Sequence, residues 1–169
     1  MESRLTLTVD GRRCTLTIDT RTSLLDALRD GLGVTAPKKG CDRGQCGACT
    51  VLLDGRRVTS CLSLAVANDG AEIVTAHGLV DDDGDLHPVQ QAFLDQDGFQ
   101  CGFCTPGQIC SAVGMLDELH CGQPSYVTED LTDRAEFSDA EIRERMSGNL
   151  CRCAAYVNIV AAIRQADTA

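Results

Sequence analysis

Apolar and polar residues alternate near the start of the chain, in "RLTLTVDGRRCTLTI" (residues 4–18). A period of two is typical of strands, and the Asp10-Gly11 pair inside the run favours a tight hairpin turn. The same pattern recurs in "TVLLDGRRVTS" (50–60), with Asp54-Gly55 at its turn. The sequence therefore predicts two hairpins, and "AEIVTA" (71–76) adds one more short strand.

Between the two hairpins the apolar spacing changes to that of a helix. "LLDALRD" (24–30) places its leucines on one stripe, and Thr22 or Ser23 can cap its start. A small sheet wrapped on one helix is the β-grasp arrangement. We therefore expect an N-terminal β-grasp domain over residues 1–78.

After this domain the strand signals fade. Residues 76–86 are rich in glycine and acidic side chains, which is typical of a linker. Four later segments carry apolar residues at helical spacing, so we predict an α+β protein whose second domain, residues 79–169, is a four-helix bundle. Ser138 and Glu141 have the spacing of a capping box at the start of the third helix. The four segments are 87–98, 106–119, 138–148 and 156–166.

The charge of the chain excludes some classes of partner. Fifteen basic and twenty-five acidic side chains give a formal charge of −10, which repels phosphate backbones and anionic lipids. We therefore expect neither nucleic acid nor a membrane as a partner. No apolar run approaches the length of a membrane span, and the start lacks the apolar region of a secretory signal. These features predict a cytoplasmic protein, or a periplasmic one if a leader has been removed.

Cysteine changes this picture, because the chain contains eleven. A disulfide framework is the first explanation, but the odd count, the missing export signal and the close spacing of the pairs favour metal binding. Four cysteines between residues 41 and 61 follow C-x4-C-x2-C-x11-C, which begins with the spacing of plant-type [2Fe–2S] sites. These candidate ligands are Cys41, Cys46, Cys49 and Cys61.

Glycines accompany this first set of cysteines. Three thiolates from one loop can reach a two-iron cluster only if the backbone curls around the sulfides. Gly40, Gly44 and Gly47 allow the unusual dihedral angles and bring backbone N–H groups close to sulfur. Zinc bound by four cysteines is the main alternative, although the C-x4-C spacing and the glycine-rich loop favour iron.

A second set of four cysteines lies in the helical half, in "QCGFCTPGQ" (100–108) and "GNLCRCAAY" (148–156). Each pair precedes a predicted helix, where the N-terminal N–H groups and the helix dipole stabilise thiolates. The pattern indicates a second iron–sulfur cluster, with a two-knuckle zinc site as the alternative. The candidate ligands are Cys101, Cys104, Cys151 and Cys153.

Three cysteines remain outside both sets. Cys14 and Cys110 share predicted apolar faces with their neighbours, so we expect them to be buried, and Cys121 has no assigned role. The three histidines stand in no spacing typical of a Rieske centre. The sequence contains no pattern typical of a catalytic triad or paired carboxylates, so the chain is predicted to carry electrons.

The motifs "GCDRGQCGACTVLLDG", "SCL", "QCGFCTPGQI" and "SGNLCRC" follow one another along almost the whole chain. In them the sequence resembles the iron–sulfur subunit of the xanthine oxidase family of molybdenum hydroxylases, and in particular its bacterial aldehyde oxidoreductase branch. The resemblance implies two [2Fe–2S] clusters, with the helical-domain cluster nearer to molybdenum and the β-grasp cluster farther from it. One departure is Ala154-Ala155, where many members have Thr-Gly.

The resemblance also implies partners. A molybdopterin-binding large subunit, with its cofactor in the cytosine dinucleotide form, would oxidise an aldehyde or N-heterocycle, and an FAD-binding medium subunit would pass the electrons onward. Gln100 and Cys153 stand at positions that lie against the pterin in similar subunits. A free-standing [2Fe–2S] ferredoxin, a redox sensor and a zinc-binding interaction module remain as alternatives.

Overall fold

The computed structural model describes residues 1–81 and 83–168, and the first half of the chain forms one mixed sheet. Its strands are β1 (Glu2–Val9), β2 (Arg12–Asp19), β3 (Thr50–Leu53), β4 (Arg56–Thr59) and β5 (Glu72–Val74). The order across the sheet is β2-β1-β5-β3-β4. β1 and β5 run parallel, and the other neighbours are antiparallel.

Both predicted hairpins are present. The backbone φ angles are 48° at Asp10 and 74° at Gly11, and 46° at Asp54 and 79° at Gly55. Positive φ at both central residues is the type I′ geometry, whose twist matches that of the paired strands. The Asp10 carboxylate also accepts hydrogen bonds from the N–H (2.7 Å) and the hydroxyl (2.8 Å) of Thr75. The first turn is thereby fixed to the chain that follows β5.

The predicted helix between the hairpins begins as α1 (Leu24–Asp26) and continues as a π-helical turn over Ala27–Gly31. Ser23, one of the two predicted caps, accepts a hydrogen bond from the N–H of Asp26 at 3.1 Å. Leu24 and Leu28 of this segment are buried in an apolar cluster with residues of β1, β3 and β5. The first half therefore has the sheet and packed helix that the sequence predicts.

Among the described residues of the second half there are four helices, as predicted, so the α+β class is confirmed. They are α2 (Pro88–Asp95), α3 (Thr105–His120), α4 (Asp139–Arg145) and α5 (Tyr156–Asp167). α2 contacts α3 and α5, α4 contacts α5, and α3 lies against β3 and β4. Their description as a four-helix bundle and the domain boundary between residues 78 and 79 stay predictions. Within the described residues, no helix combines the length and apolar character that a membrane span needs.

The helical half and the sheet share an apolar core. Phe93, Met115, Ile142 and Ile163 are fully buried, and Leu52 of β3 belongs to the same cluster. Burial of apolar surface from both halves stabilises their contact. The start of α3 is therefore held close to the loop that leads into β3.

α4 begins differently from the predicted capping box. The hydroxyl of Ser138 accepts a hydrogen bond from the N–H of Glu141 at 3.3 Å, as expected. The Glu141 carboxylate does not return to Ser138 and accepts instead from the hydroxyl of Thr128 (2.6 Å) and from Nε of Arg145 (2.9 Å). Only half of the box forms, because the buried Arg145 guanidinium offers the carboxylate a stronger, charged donor.

Candidate metal centres

The first set of cysteines lies where the chain turns between the π-helical turn and β3. Three of its members are on this loop, and the fourth, Cys61, follows β4. The loop backbone passes through Gly44 and Gly47 with φ of 75° and 69°. Glycine adopts this left-handed conformation without steric cost, so both residues allow the chain to curl as the sequence predicts.

The four thiols of the first set come together as two pairs. Cys41 and Cys46 are close enough to interact, and so are Cys49 and Cys61. Cys61 also lies within range of the charge on Cys41, so the two pairs are neighbours. Burial raises the pKa of Cys61 to about 11, because a thiolate there is poorly solvated without a cation beside it.

Backbone N–H groups point at the sulfur atoms of the first set. The N–H of Arg43 is the main reason that the pKa of Cys41 falls to about 7. The N–H of Gln45 also donates to Cys41 Sγ, at 3.2 Å, and the N–H of Gly44 interacts with the Cys61 sulfur. Donors arranged in this way stabilise negative charge on thiolates and sulfides.

The second set lies at the starts of two helices. Cys104 is the N-cap of α3, and Cys151 and Cys153 precede α5. Cys101 and Cys153 are close enough to interact, as are Cys104 and Cys151. Burial raises the pKa of Cys104 to about 11. The structure therefore brings together both halves of the predicted set, which are far apart in the sequence.

N–H groups also face the second set. The N–H of Phe103 is the main cause of a lowered pKa at Cys101. The N–H of Ala155 donates to Cys151 Sγ at 3.4 Å. Each site thus combines thiols with backbone donors, which suits an anionic cluster held by protein sulfur.

A cavity of about 360 Å³ lies over the second set. All four cysteines of that set line it, and Cys46 of the first set lies on its wall. The donor set at each site fits a [2Fe–2S] cluster, in which each of two irons takes two thiolates. Among residues 1–81 and 83–168, no three His, Cys, Asp or Glu side chains are grouped to hold one metal ion. The eight thiols instead lie in pairs, two pairs at each site.

Gly40 has a different role from the one that the sequence suggests. Its backbone φ is not in the left-handed region that Gly44 and Gly47 occupy. A Cβ at Gly40 would lie 2.9 Å from Cys46 Sγ and 3.6 Å from the Phe103 ring. Gly40 therefore leaves space for sulfur and does not help the loop to curl.

Gln100 lies at the outer edge of the second set. Its Nε2 donates to the main-chain oxygen of Cys153 at 3.0 Å, and the Gln100 side chain is exposed. The structure thus joins the two residues predicted to face a partner's cofactor. Gln100 is exposed there, and Cys153 is half-buried.

The cysteines outside the two sets have separate environments. Cys110 is buried as predicted, and burial raises its pKa to about 12. The prediction that Cys14 is buried is wrong: Cys14 is only half-buried, because β2 lies at the edge of the sheet and its apolar face is less covered than that of β1. Cys121 is exposed at the end of α3. None of the three joins either set.

Sequence reasoning missed Asn149, which lies between the two sites. Its side-chain amide donates to the main-chain oxygens of Gly47 (3.0 Å) and Gly107 (3.1 Å). The sequence offered one signal for it: Asn149 stands between a glycine and a cysteine pair in "SGNLCRC". An amide has two N–H donors, so one Asn can link two carbonyl groups from distant parts of the chain.

Comparison with known protein families agrees with this arrangement. Residues 7–76 match the family described as a 2Fe-2S iron-sulfur cluster binding domain. Residues 75–164 match the family described as a [2Fe-2S] binding domain. The first set of cysteines lies in the first match, and the second set lies in the other.

Individual relatives extend the comparison to whole subunits. The aldehyde oxidoreductase iron-sulfur-binding subunit PaoA of Escherichia coli is 60% identical over 162 residues, which cover 96% of this chain and 70% of that protein. Caffeine dehydrogenase subunit gamma of a Pseudomonas species is 46% identical, with 95% and 88% covered. The crystal structure of quinoline 2-oxidoreductase from Pseudomonas putida 86 gives a TM-score of 0.79 at 37% identity, covering 96% of this chain and 90% of that one. With both iron–sulfur-binding domains present and relatives that match over nearly its whole length, the chain belongs to the iron–sulfur subunits of the molybdenum hydroxylases, the xanthine oxidase family.

Proposed function

We propose that the chain relays electrons from a molybdopterin centre in one partner subunit, through two [2Fe–2S] clusters, to flavin or another acceptor. The observation that carries this proposal is the cavity that both cysteine sets reach. It contains the four cysteines of the second set and is bordered by Cys46 of the first. Two adjoining sets of four cysteines suit the transfer of electrons from one cluster to the other.

The eight paired cysteines are the proposed ligands. A bound [2Fe–2S] cluster supplies a one-electron redox couple, whose potential depends on N–H donors near sulfur and on burial. The chain's own part is to supply thiolates, direct backbone N–H groups at them, and limit access of water. The ligands are Cys41, Cys46, Cys49 and Cys61 for one cluster and Cys101, Cys104, Cys151 and Cys153 for the other.

The surface beside the second set supports a partner at that edge. Phe103 and Leu150 line the cavity, yet 49% and 52% of their surfaces are exposed. Exposed apolar side chains next to a redox site are typical of an interface. We assign the molybdopterin-binding large subunit, with the cytosine dinucleotide form of the cofactor, to this edge. Gln100 and Cys153 would face the pterin there.

A different surface lies beside the first set. Leu62 follows Cys61 directly, and 65% of its surface is exposed. We assign the FAD-binding medium subunit, or another electron acceptor, to this edge. The two proposed partners would then contact opposite ends of the pair of sites, so that electrons enter at the second set and leave from the first.

The proposed substrate class is an aldehyde or an N-heterocycle. The 60% identity to an aldehyde oxidoreductase subunit supports an aldehyde, and the lower identities to caffeine and quinoline enzymes support the heterocycle less strongly. We further propose that the two domains divide between residues 78 and 79, that the second domain is a four-helix bundle, and that the protein is cytoplasmic.

The experiment that tests the proposal is isolation of the untagged chain from its native host. We expect two larger subunits to co-purify, with molybdenum, flavin and two [2Fe–2S] clusters for each copy of this chain. Addition of an aldehyde should bleach the visible absorbance of the clusters. Isolation of the chain alone, with its clusters but without molybdenum, would support the free-standing ferredoxin or the redox sensor. Bound zinc without iron would exclude all three redox functions.

A further inference from the structure

The buried side chain of Asn149 joins three segments that support the two cysteine sets. Its Nδ2 donates to the oxygen of Gly47, in the loop of the first set, and to the oxygen of Gly107, in the first turn of α3. Asn149 itself stands two positions before Cys151. One amide group therefore contacts the supports of both sets at once.

The residue after Asn149 makes a direct link between the sets. The N–H of Leu150 donates to the main-chain oxygen of Cys46 at 2.9 Å. Cys46 is a member of the first set, and Leu150 is covalently bonded to Cys151 of the second. One hydrogen bond and a few covalent bonds therefore connect proposed ligands of the two sites.

These contacts leave little room for the segments to move. A Cβ at Gly47 would lie only 2.5 Å from the oxygen of Gly148 and 2.7 Å from Asn149 Nδ2. The main-chain oxygen of Asn149 accepts from Nε2 of Gln108 at 3.0 Å, and only 6% of Asn149 and 1% of Gln108 are exposed. Buried polar groups are costly to unpair, and a close-packed interior transmits displacement. The position of Asn149 thus sets the spacing of these segments.

We propose that Asn149 is the positioning residue that fixes the separation of the two clusters and keeps the Leu150–Cys46 link intact. This role rests on the proposed function. It concerns the step in which one electron passes from one site to the other, and no bond forms or breaks. Transfer between two sites slows steeply with their separation, so Asn149 acts on the rate through Gly47 and Gly107 without being a ligand.

The test uses the complete complex and the variant Asn149→Leu, in which a side chain of similar size lacks both donors. Three properties are measured: iron content, the EPR spectrum of the fully reduced protein, and the rate of electron exchange between the clusters after a light pulse. Two nearby paramagnetic clusters split each other's EPR lines, and the splitting shrinks as they separate. We expect full iron content and unchanged g values, a smaller splitting, and an exchange rate about tenfold lower or more.

Two control variants separate positioning from general stability. Gln165→Leu removes another side-chain amide donor, from Nε2 to Oδ2 of Asp95 at 2.6 Å, at the end of α5 that is far from the cysteines in sequence. Ser23→Ala removes the N-cap of α1, which accepts a hydrogen bond of 3.1 Å from the N–H of Asp26, and so lowers stability at a place apart from Gly47, Gly107 and Asn149. Both controls should keep the wild-type splitting and exchange rate.

A milder variant serves if Asn149→Leu does not fold. Thr50→Val conserves shape and removes only the hydroxyl that donates to the oxygen of Gly47 at 2.7 Å and that lies 3.4 Å from Asn149 Nδ2. We expect it to lose part of the splitting in the same direction. An unchanged splitting and rate in the folded variant overturns the inference and leaves the proposed function standing. Equal losses in Ser23→Ala also overturn it, whereas a wild type without two clusters overturns the proposed function itself.

Discussion

Arg57 on β4 and Glu118 on α3 face each other through two hydrogen bonds, from Nε to Oε1 at 2.7 Å and from Nη2 to Oε2 at 2.8 Å. The third nitrogen of Arg57 donates to the hydroxyl of Ser111 (3.1 Å) and to the main-chain oxygen of Arg145 (2.5 Å). Two parallel hydrogen bonds between a guanidinium and a carboxylate fix the relative orientation of the two side chains as well as the distance between them. This pair therefore holds α3 at a defined angle on the sheet.

The first prediction is that Arg57→Met lowers the free energy of unfolding by about 2 kcal/mol, because a mostly buried carboxylate loses its charged partner. Glu118 would retain only the longer contact with Arg145, at 3.6 Å. Urea unfolding followed by circular dichroism measures the change. Arg56→Met, at an exposed position on the same strand, is the matched control and should have little effect. Equal stability of the two variants would contradict this account.

The second prediction concerns metal content. If the two cysteine sets hold two [2Fe–2S] clusters, iron and sulfide analysis should give about four of each per chain. Replacing any one of the eight paired cysteines by serine should remove up to about half of the iron, since only one of the two sites loses a ligand. Cys121→Ser, at an exposed cysteine outside both sets, should leave the content unchanged. A wild-type content near two would mean that one set does not bind a cluster.

The third prediction concerns Gln100. Gln100→Ala removes the hydrogen bond to the main-chain oxygen of Cys153 and any contact with a partner's pterin. We expect reduction of the clusters by substrate to slow while the iron content stays full, and rapid mixing followed at visible wavelengths measures both. Gln91→Ala removes a comparable exposed hydrogen bond, to Asp95 at 2.7 Å, away from the cysteines. If both variants are reduced at the wild-type rate, Gln100 has no part in transfer.

The fourth prediction tests the serial order of the two sites. Cys49→Ser should disrupt the first cluster, since a serine oxygen is a poorer ligand for iron than a thiolate. The second set is untouched, so substrate should still reduce the cluster there within a single turnover. Steady-state transfer to the acceptor should fall steeply, because electrons must cross the gap without their relay. Full turnover, or a second cluster that is present but no longer reduced, would show that the order is wrong.

The fifth prediction follows from His87, which caps α2. Its Nδ1 accepts a hydrogen bond from the N–H of Val89 at 3.2 Å, and burial lowers the pKa of His87 below its ordinary value of 6.5. The folded protein therefore binds this proton less tightly than the unfolded chain. Stability from the cap is complete above about pH 6.5 and declines as the pH falls below that value.

Protonation of His87 removes the cap, so the free energy of unfolding should fall by about 1 kcal/mol between about pH 8 and about pH 5.5. His87→Asn should not show this part of the loss, because an amide oxygen caps the helix without titrating. Thermal unfolding at a series of pH values measures the difference between the two proteins. Parallel pH dependences would rule out His87 as its source.

The local features of the fold could be predicted from the sequence. Asp10-Gly11 and Asp54-Gly55 determine their hairpin turns through two adjacent residues. Cys101 and Cys104, like Cys151 and Cys153, are close in sequence, so their spacing could be recognised within one short stretch each. Ser23 was found as a cap because its bond spans three residues. These signals lie within a few positions of each other, where sequence patterns carry the most information.

The features that could not be predicted depend on contacts between distant residues. Glu141 has the spacing of a capping box, but its carboxylate is taken by Arg145 and Thr128. Gly40 is required by the sulfur of Cys46, which a Cβ would approach to 2.9 Å, and its own backbone conformation gives no signal. Asn149 contacts a loop about a hundred positions earlier in the chain. Only the folded arrangement reveals such partners.

The glycine contacts between the two halves restrict how this subunit can be recombined with its relatives. Gly47 and Gly107 lie so close together that a side chain on either would meet main-chain atoms of the other half. A chimera that takes its first half from this chain and its second half from another subunit would join surfaces shaped for different partners. Exchange should succeed only when the stretches around Gly47, Gly107 and Asn149 travel together. Although each half contains a complete set of four cysteines, the contacts at Gly47 and Gly107 make the two halves exchangeable only as one unit.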